Sequence, residues 1–107
     1  MFARRVTLKL KPNTASEFTK KLETAVIPLL QRQKGFKDEI TFMASGDTDV
    51  LAISLWDRQE DAEAYNGGKY SEVVKMLGEV VDGTPHVESG KVSNSTFHKI
   101  AVPTSSR

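Results

Sequence analysis

The segment LWDRQEDAEAYNGGKYSEVVKML, Leu55 to Leu77, decides how the rest of the chain is read. It opens as the end of an apolar strand closing on Trp56. Asp57 and Glu60 then have the spacing of a capping box, which predicts a helix from about Arg58. That helix is short, because Asn66-Gly67-Gly68 interrupts it. From Tyr70 the apolar residues Val73, Val74, Leu77, Val80 and Val81 recur at helical spacing, so a second helical segment follows. Glycines inside a helical region cost stability, and a break there calls for a use.

Upstream, Val50 to Trp56 reads as a strand. Leu51, Ile53 and Leu55 make one face apolar, while Val50, Ala52 and Trp56 do the same for the other, so both faces should be covered. Before it, Phe36, Ile40 and Phe42 alternate along a second strand, closed by the turn SGDTD, Ser45 to Asp49. The chain begins with another alternating strand, Phe2 to Lys11. Phe2, Val6, Leu8 and Leu10 share one face with the single charge Arg4, and Arg5, Thr7, Lys9 and Lys11 take the other. A helix follows, opened by a capping box at Thr14 and Glu17 and striped by Phe18, Leu22, Ala25, Val26, Leu29 and Leu30. Pro28 must kink or divide it near Ile27, and Gly35 ends it. Downstream, Asp82 to Pro85 ends the last helix. His86 to Val102 reads as a long final strand with Gly90 as a bulge, and residues 103–107 as a loose tail.

Strand, helix, two strands, helix, strand is the ferredoxin-like α+β order. It predicts one domain over residues 1–102, a four-stranded antiparallel sheet with both helical regions on one face. The first and third strands form its central pair. A third strand apolar on both faces then needs cover on the bare side of the sheet, and a second copy of the chain supplies it. A homodimer is expected, although Arg5, Thr7 and Lys9 add charge and polarity to that face.

Composition removes several function classes. Fifteen basic residues against fourteen acidic offer no electrostatic basis for binding nucleic acid or an anionic membrane. An RNA-recognition module shares the element order but needs exposed aromatics on its first and third strands, where Phe2 and a terminal Trp56 are all there is. The opening MFARRVTLKL lacks the apolar core of a signal peptide, and no run approaches membrane-spanning length, which predicts a cytoplasmic protein. There is no cysteine. His86 and His98, the two histidines, would stand roughly 40 Å apart along one strand at about 3.3 Å per residue. With no glycine-rich phosphate loop either, no metal, flavin or nucleotide cofactor is expected.

AVIPLLQRQKGF (Ala25 to Phe36), the apolar strand closing on Trp56, and the broken helix after it together resemble the antibiotic biosynthesis monooxygenase-type superfamily of dimeric α+β barrels, over nearly the whole chain. Helix-proline-glycine and strand-tryptophan-helix are motifs of fold more than of chemistry. The resemblance implies a cavity roofed by the bent second helical region, with Trp56, Tyr65 and Tyr70 around it. Arg4, a charge among the apolar residues of the first strand, is read either as a snorkelling side chain or as a substrate anchor. The resemblance also implies a cofactor-independent monooxygenase acting on aromatic or polyketide-like small molecules. The alternative is a non-catalytic domain that binds a small ligand or only assembles. The asparagine that orients substrate in the oxygenase branch, four residues before the tryptophan, corresponds to Ala52. Were catalysis to need a base, His86 is the histidine to supply it. In the haem-degrading branch the asparagine, tryptophan and histidine correspond to positions near Val6, Tyr65 and Lys75, and none is retained. A lysine ammonium offers iron no lone pair. Titration with haem should therefore leave the Soret band unshifted, with no one-to-one end point.

Overall fold

The computed structural model describes residues 1–44 and 46–100. Strands β1 (Phe2–Leu10), β2 (Phe36–Met43), β3 (Asp49–Trp56) and β4 (Val81–Lys91) form one antiparallel sheet in the order β2-β3-β1-β4. The helices α1 (Ala15–Lys21), α2 (Ile27–Gln31), α3 (Gln59–Gly67) and α4 (Tyr70–Leu77) complete the βαββαβ order of a ferredoxin-like fold. β1 and β3 are central, as expected. The tail expected at 103–107 lies outside the described residues.

Proline shapes the first helical region. Its ring lacks an N–H and collides with the carbonyl four residues back. Between α1 and α2, immediately before Ile27-Pro28, Leu22–Val26 is wound as a π-helical turn, which widens the spiral where Pro28 cannot bond. Pro28 then falls in the first turn of α2, where its missing donor is not needed. The helix continues through the defect and presents Phe18, Val26, Leu29 and Leu30 to the core.

Both expected capping boxes fail. Thr14 Oγ1 donates instead to the Lys11 carbonyl at 2.7 Å and lies 3.4 Å from that of Val80, tying the helix start to neighbouring loops. Asp57 pairs with Lys37 at 3.3 Å, and Arg58 is the residue before α3. The loop between α2 and β2 packs tightly against α3. Gly35 has φ +79°, and a β-carbon there would lie 2.1 Å from Asp61 Oδ2. Its carbonyl accepts the Asp57 N–H at 2.8 Å. Only glycine meets both demands.

Two strand readings change. Residue Lys37 is an extra residue between the pairs Phe36–Trp56 and Asp38–Leu55. This bulge reverses the side-chain alternation, so Phe36 faces the helices while Ile40 and Phe42 face away, 58% and 51% exposed. Glu39, Thr41 and Met43 turn toward the helices instead. The last strand starts earlier than expected, at Val81, a residue that the helical spacing assigns to the preceding helix. It takes in the Asp82–Pro85 stretch and stops at Lys91 rather than Val102. Its irregularity falls opposite Thr7–Lys9, where Gly83 has φ +80°, and Gly90 is regularly paired with Ala3. Pro85 is tolerated because β4 is an edge strand.

The helix-free face of the sheet carries Ile40, Phe42, Leu51, Ile53 and Leu55, in register across β2 and β3. Charged pairs flank them, Lys9–Asp49 at 3.3 Å and Arg5–Glu88 at 4.0 Å. Paired charges at the rim of an apolar centre suit association of two such faces. Light scattering coupled to size exclusion at micromolar concentration should return twice the 11.8 kDa chain mass. Ile53→Lys, in the middle of the patch, should return the monomer.

Candidate functional site

The helix break after α3 has a structural use: it gathers side chains from three elements around one cation. Arg4 of β1 is 3% exposed, and its Nη2 donates to Asn66 Oδ1 at 2.8 Å. The guanidinium lies over the Tyr65 ring, 5.0 Å from its centroid, and over the Tyr70 ring at 4.5 Å. Tyr65 belongs to the last turns of α3, and Tyr70 opens α4; their rings are 5.9 Å apart at 60°. An unbroken helix would carry positions 65 and 70 past one another, 500° round the spiral at 100° per residue. With Gly67 and Gly68 between them, two separate helix ends aim both rings at Arg4. Gly68 has φ −124° and ψ −98°, outside the helical region.

Among the described residues no carboxylate pairs with Arg4. Burial lowers its pKa from the ordinary arginine value, opposed by the two tyrosines, yet a guanidinium titrates so high that it stays charged. Burial also pushes the Tyr65 hydroxyl up to about 12, with Arg4 pulling the other way, and Tyr70 is raised for the same reason. At neutral pH the group is therefore one buried cation held by neutral π-faces and one amide oxygen. Desolvated cation–π contacts of this kind contribute about 2 kcal/mol or more.

Arg4 opens onto a cavity of ≈ 130 Å³ between the helices and the sheet. Its walls are largely aliphatic, with Val6 and Leu8 below, Phe18, Leu22 and Val26 on one side, and Val73, Val74 and Leu77 on the other. Tyr65, Tyr70 and Arg4 line it. Ala52 lies in its floor. The polar groups converging on it are few: Arg4, the tyrosine hydroxyls, Ser54 and Glu39. An apolar hollow with a small number of placed polar groups is the usual form of a small-molecule site.

Two expected site residues stand elsewhere. Trp56 is fully buried, 0% exposed, and outside the cavity lining. It stacks on Tyr65 at 5.1 Å, meets the edge of Phe36 at 5.5 Å and donates from Nε1 to Ser54 Oγ at 2.9 Å. Its place is behind Tyr65, as a support, because the strand turns its side chain beneath α3. His86 lies on the helix-free face of β4, exposed and 3.5 Å from Glu88. Its alternation in β4 sets it opposite Thr7, on the far side of the sheet from Arg4. His98 meets the Asp38 carboxylate.

Asn66 and Glu39 escaped the sequence reading. Asn66 looked like a helix terminator, and its role becomes visible only once Arg4 is known to reach it. Glu39 was hidden by the bulge at Lys37, without which it would face away from the helices.

The class defined by fold and site is a ferredoxin-like α+β domain with an apolar cavity roofed by a broken helix. Compared by sequence, the chain matches no known family and no curated protein. Compared by structure, it is similar to a protein of unknown function from Nitrosomonas europaea, with a TM-score of 0.73, 16% identity and 95% of each chain covered. It is similar to the cofactor-independent oxygenase SnoaB of Streptomyces nogalater, with a TM-score of 0.72 at 11% identity, over 89% of this chain and 95% of that one. A Streptomyces coelicolor monooxygenase in complex with nanaomycin D aligns with a TM-score of 0.72 at 16% identity, over 96% and 92%. An antibiotic biosynthesis monooxygenase candidate from Bordetella bronchiseptica shares the fold too, at 14% identity and a TM-score of 0.73, covering 87% and 97%. These likenesses establish the fold expected from the sequence.

The tyrosines set an alkaline limit on stability. Folding holds Tyr65 protonated to about pH 12, against 10.0 in a free side chain. The folded value is the raised one, so its contribution is intact below pH 10 and is lost as pH climbs from 10 toward 12. Urea midpoints should fall across that interval, and Tyr65→Phe should flatten the fall.

Proposed function

We propose that the chain is a cytoplasmic, homodimeric, cofactor-independent oxygenase of small phenolic aromatics, with Arg4 holding the ionised ring oxygen. The observation that carries this reading is a buried cation, unpaired with any carboxylate among the described residues, opening onto an apolar cavity. A site that has already desolvated a positive charge favours an anionic ligand oxygen, because attraction is strong where water is excluded. Arg4 would thereby lower the pKa of a bound phenol.

A phenolate is electron-rich enough to react with dioxygen itself. One electron passes from the ring to oxygen, the resulting radical pair joins at the ring carbon, and loss of water leaves a carbonyl. Phenol and dioxygen give quinone and water; one oxygen atom enters the ring carbonyl and the other leaves as water. All four electrons come from the substrate, so the step needs no added reductant. A tyrosine hydroxyl of the cavity, Tyr65 or Tyr70, is better placed than His86 to relay the phenol proton. The likeness to SnoaB, described as a cofactor-independent oxygenase, and to the nanaomycin D complex supports this choice of chemistry. A hollow of about 150 Å³ holds a benzene ring, so ≈ 130 Å³ suits a single ring. Larger polycyclic ligands would require α4 to swing on Gly67-Gly68.

A second reading, passive binding of an aromatic ligand, is favoured by Ala52. It lies in the cavity floor where the resemblance would put a substrate-orienting asparagine. Oxygen uptake with phenols of increasing ring number separates the two. Turnover in buffer free of added metal and flavin, falling about a hundredfold or more in Arg4→Met, as when a charge-stabilising donor is removed, supports the oxygenase. Saturable binding of the phenols by calorimetry without oxygen uptake supports the passive binder, and no binding at all defeats both.

A further inference from the structure

The floor of the cavity has a second polar pole. Glu39 of β2 is paired with Ser54 of β3, and Ser54 with Arg4 of β1, so the three form one row across the sheet with side chains toward the helices. Neighbouring strands lie about 4.8 Å apart, which roots the carboxylate and the guanidinium roughly 10 Å from each other. All three residues line the same cavity. They do not neutralise one another: among the described residues neither Glu39 nor Arg4 has an ion-pair partner.

The two ends differ in what they accept. A guanidinium only donates hydrogen bonds, and an ionised carboxylate only accepts them. Thr41 Oγ1 donates to Glu39 Oε2. Among the described residues no donor meets Oε1. Burial pushes the Glu39 carboxyl up, with the Thr41 hydroxyl opposing it, as happens to a carboxylate short of donors in apolar surroundings. Ser54 does not link Glu39 to Arg4: its Oγ accepts the Trp56 indole N–H, Arg4 reaches up to Asn66, and among the described residues no hydrogen bond joins the Ser54 hydroxyl to either charged group. A ligand filling the hollow must therefore accept at the Arg4 end and donate at the Glu39 end.

We propose that Glu39 is a specificity-determining residue of this cavity, accepting a hydrogen bond from a second hydroxyl set across the ring from the oxygen held by Arg4. The inference rests on the reading that the cavity takes a phenolic aromatic, and it narrows that class to rings hydroxylated at opposite ends. Sheet register sets the separation of the poles, so a ring with its second hydroxyl beside the first leaves one pole unanswered. An ether or methyl group in the second position likewise leaves the carboxylate desolvated without a donor, which costs binding.

The test compares hydroquinone with p-cresol, a ring of the same shape in which the second hydroxyl is a methyl group. Binding is measured by calorimetry under nitrogen, so that oxidation plays no part. Wild-type protein should bind hydroquinone about tenfold or more tighter, the effect of one hydrogen bond to a charged group. Glu39→Leu should bring the ratio to about one while holding or improving the affinity for p-cresol. Glu39→Gln keeps the shape and loses the charge, and should fall between the two; it also serves where the leucine variant folds poorly. Equal affinities in the wild type, or a preference that survives in Glu39→Leu, would overturn the role of Glu39 and leave the phenol-binding cavity standing. Failure of both ligands to bind would overturn the inference together with the reading beneath it.

Discussion

The structure turns on a positive charge placed where water cannot reach it. A guanidinium taken from water into a protein interior loses several kcal/mol of hydration, and an isolated one would not stay folded in. Arg4 recovers that loss from two aromatic faces and an amide oxygen rather than from an anion. The cation therefore remains uncompensated in charge, held by ring packing and by the hydrogen bond to Asn66. That combination demands two rings at particular angles, and the glycine break between α3 and α4 exists in the chain where those angles are needed. Gly67-Gly68 weakens the helix locally, and the Arg4 cluster offsets the loss.

The cluster is held from behind. Trp56 fills the space beneath α3, with Tyr65 stacked on one side, the edge of Phe36 on another and its indole N–H satisfied by Ser54. Phe36 in turn follows Gly35, whose missing side chain lets Asp61 of α3 approach the loop. The packing thus runs from the turn before β2, through the tryptophan, to the ring over Arg4. A tryptophan at this strand end acts on a ligand through Tyr65 and not by touching it. The proline-induced π turn has a parallel effect on the opposite wall, keeping Phe18 and Val26 on the cavity side of a helix that Pro28 would otherwise divide.

The two faces of β3 serve different ends. On the helix side it alternates Val50, Ala52, Ser54 and Trp56, small or polar in the middle, which leaves room for the hollow. On the other side Leu51, Ile53 and Leu55 remain unoccupied by any helix and adjoin Ile40 and Phe42 of β2. Charge is arranged accordingly. The exposed pairs Lys9–Asp49 and Arg5–Glu88 are mutually neutralised on the helix-free face, whereas the buried Arg4 and the half-buried Glu39 are left unneutralised on the cavity side.

Element order, a defect in the first helix ahead of Pro28 and the break at Gly67-Gly68 were legible in the sequence, because each depends on neighbours within a few residues: side-chain period, missing donors, backbone freedom. The central placing of β1 and β3 came with the ferredoxin-like order. Tyr65, Tyr70 and Arg4 were legible as candidates through their anomalous positions, rings at a helix break and a charge on an apolar face. The bulge at Lys37 was not, since one unpaired residue leaves no mark on composition yet exchanges the faces of β2. It sent Ile40 and Phe42 outward and brought Glu39 in. Capping followed the same rule: Thr14 turned to the Lys11 and Val80 carbonyls, and Asp57 to Lys37 of β2. Whether Trp56 touched the hollow or stood behind it, and which side of the sheet received His86, depended on sheet register and on helix placement over it. Local sequence determines which conformations are cheap; only the assembled sheet and helices decide which side chains share a space.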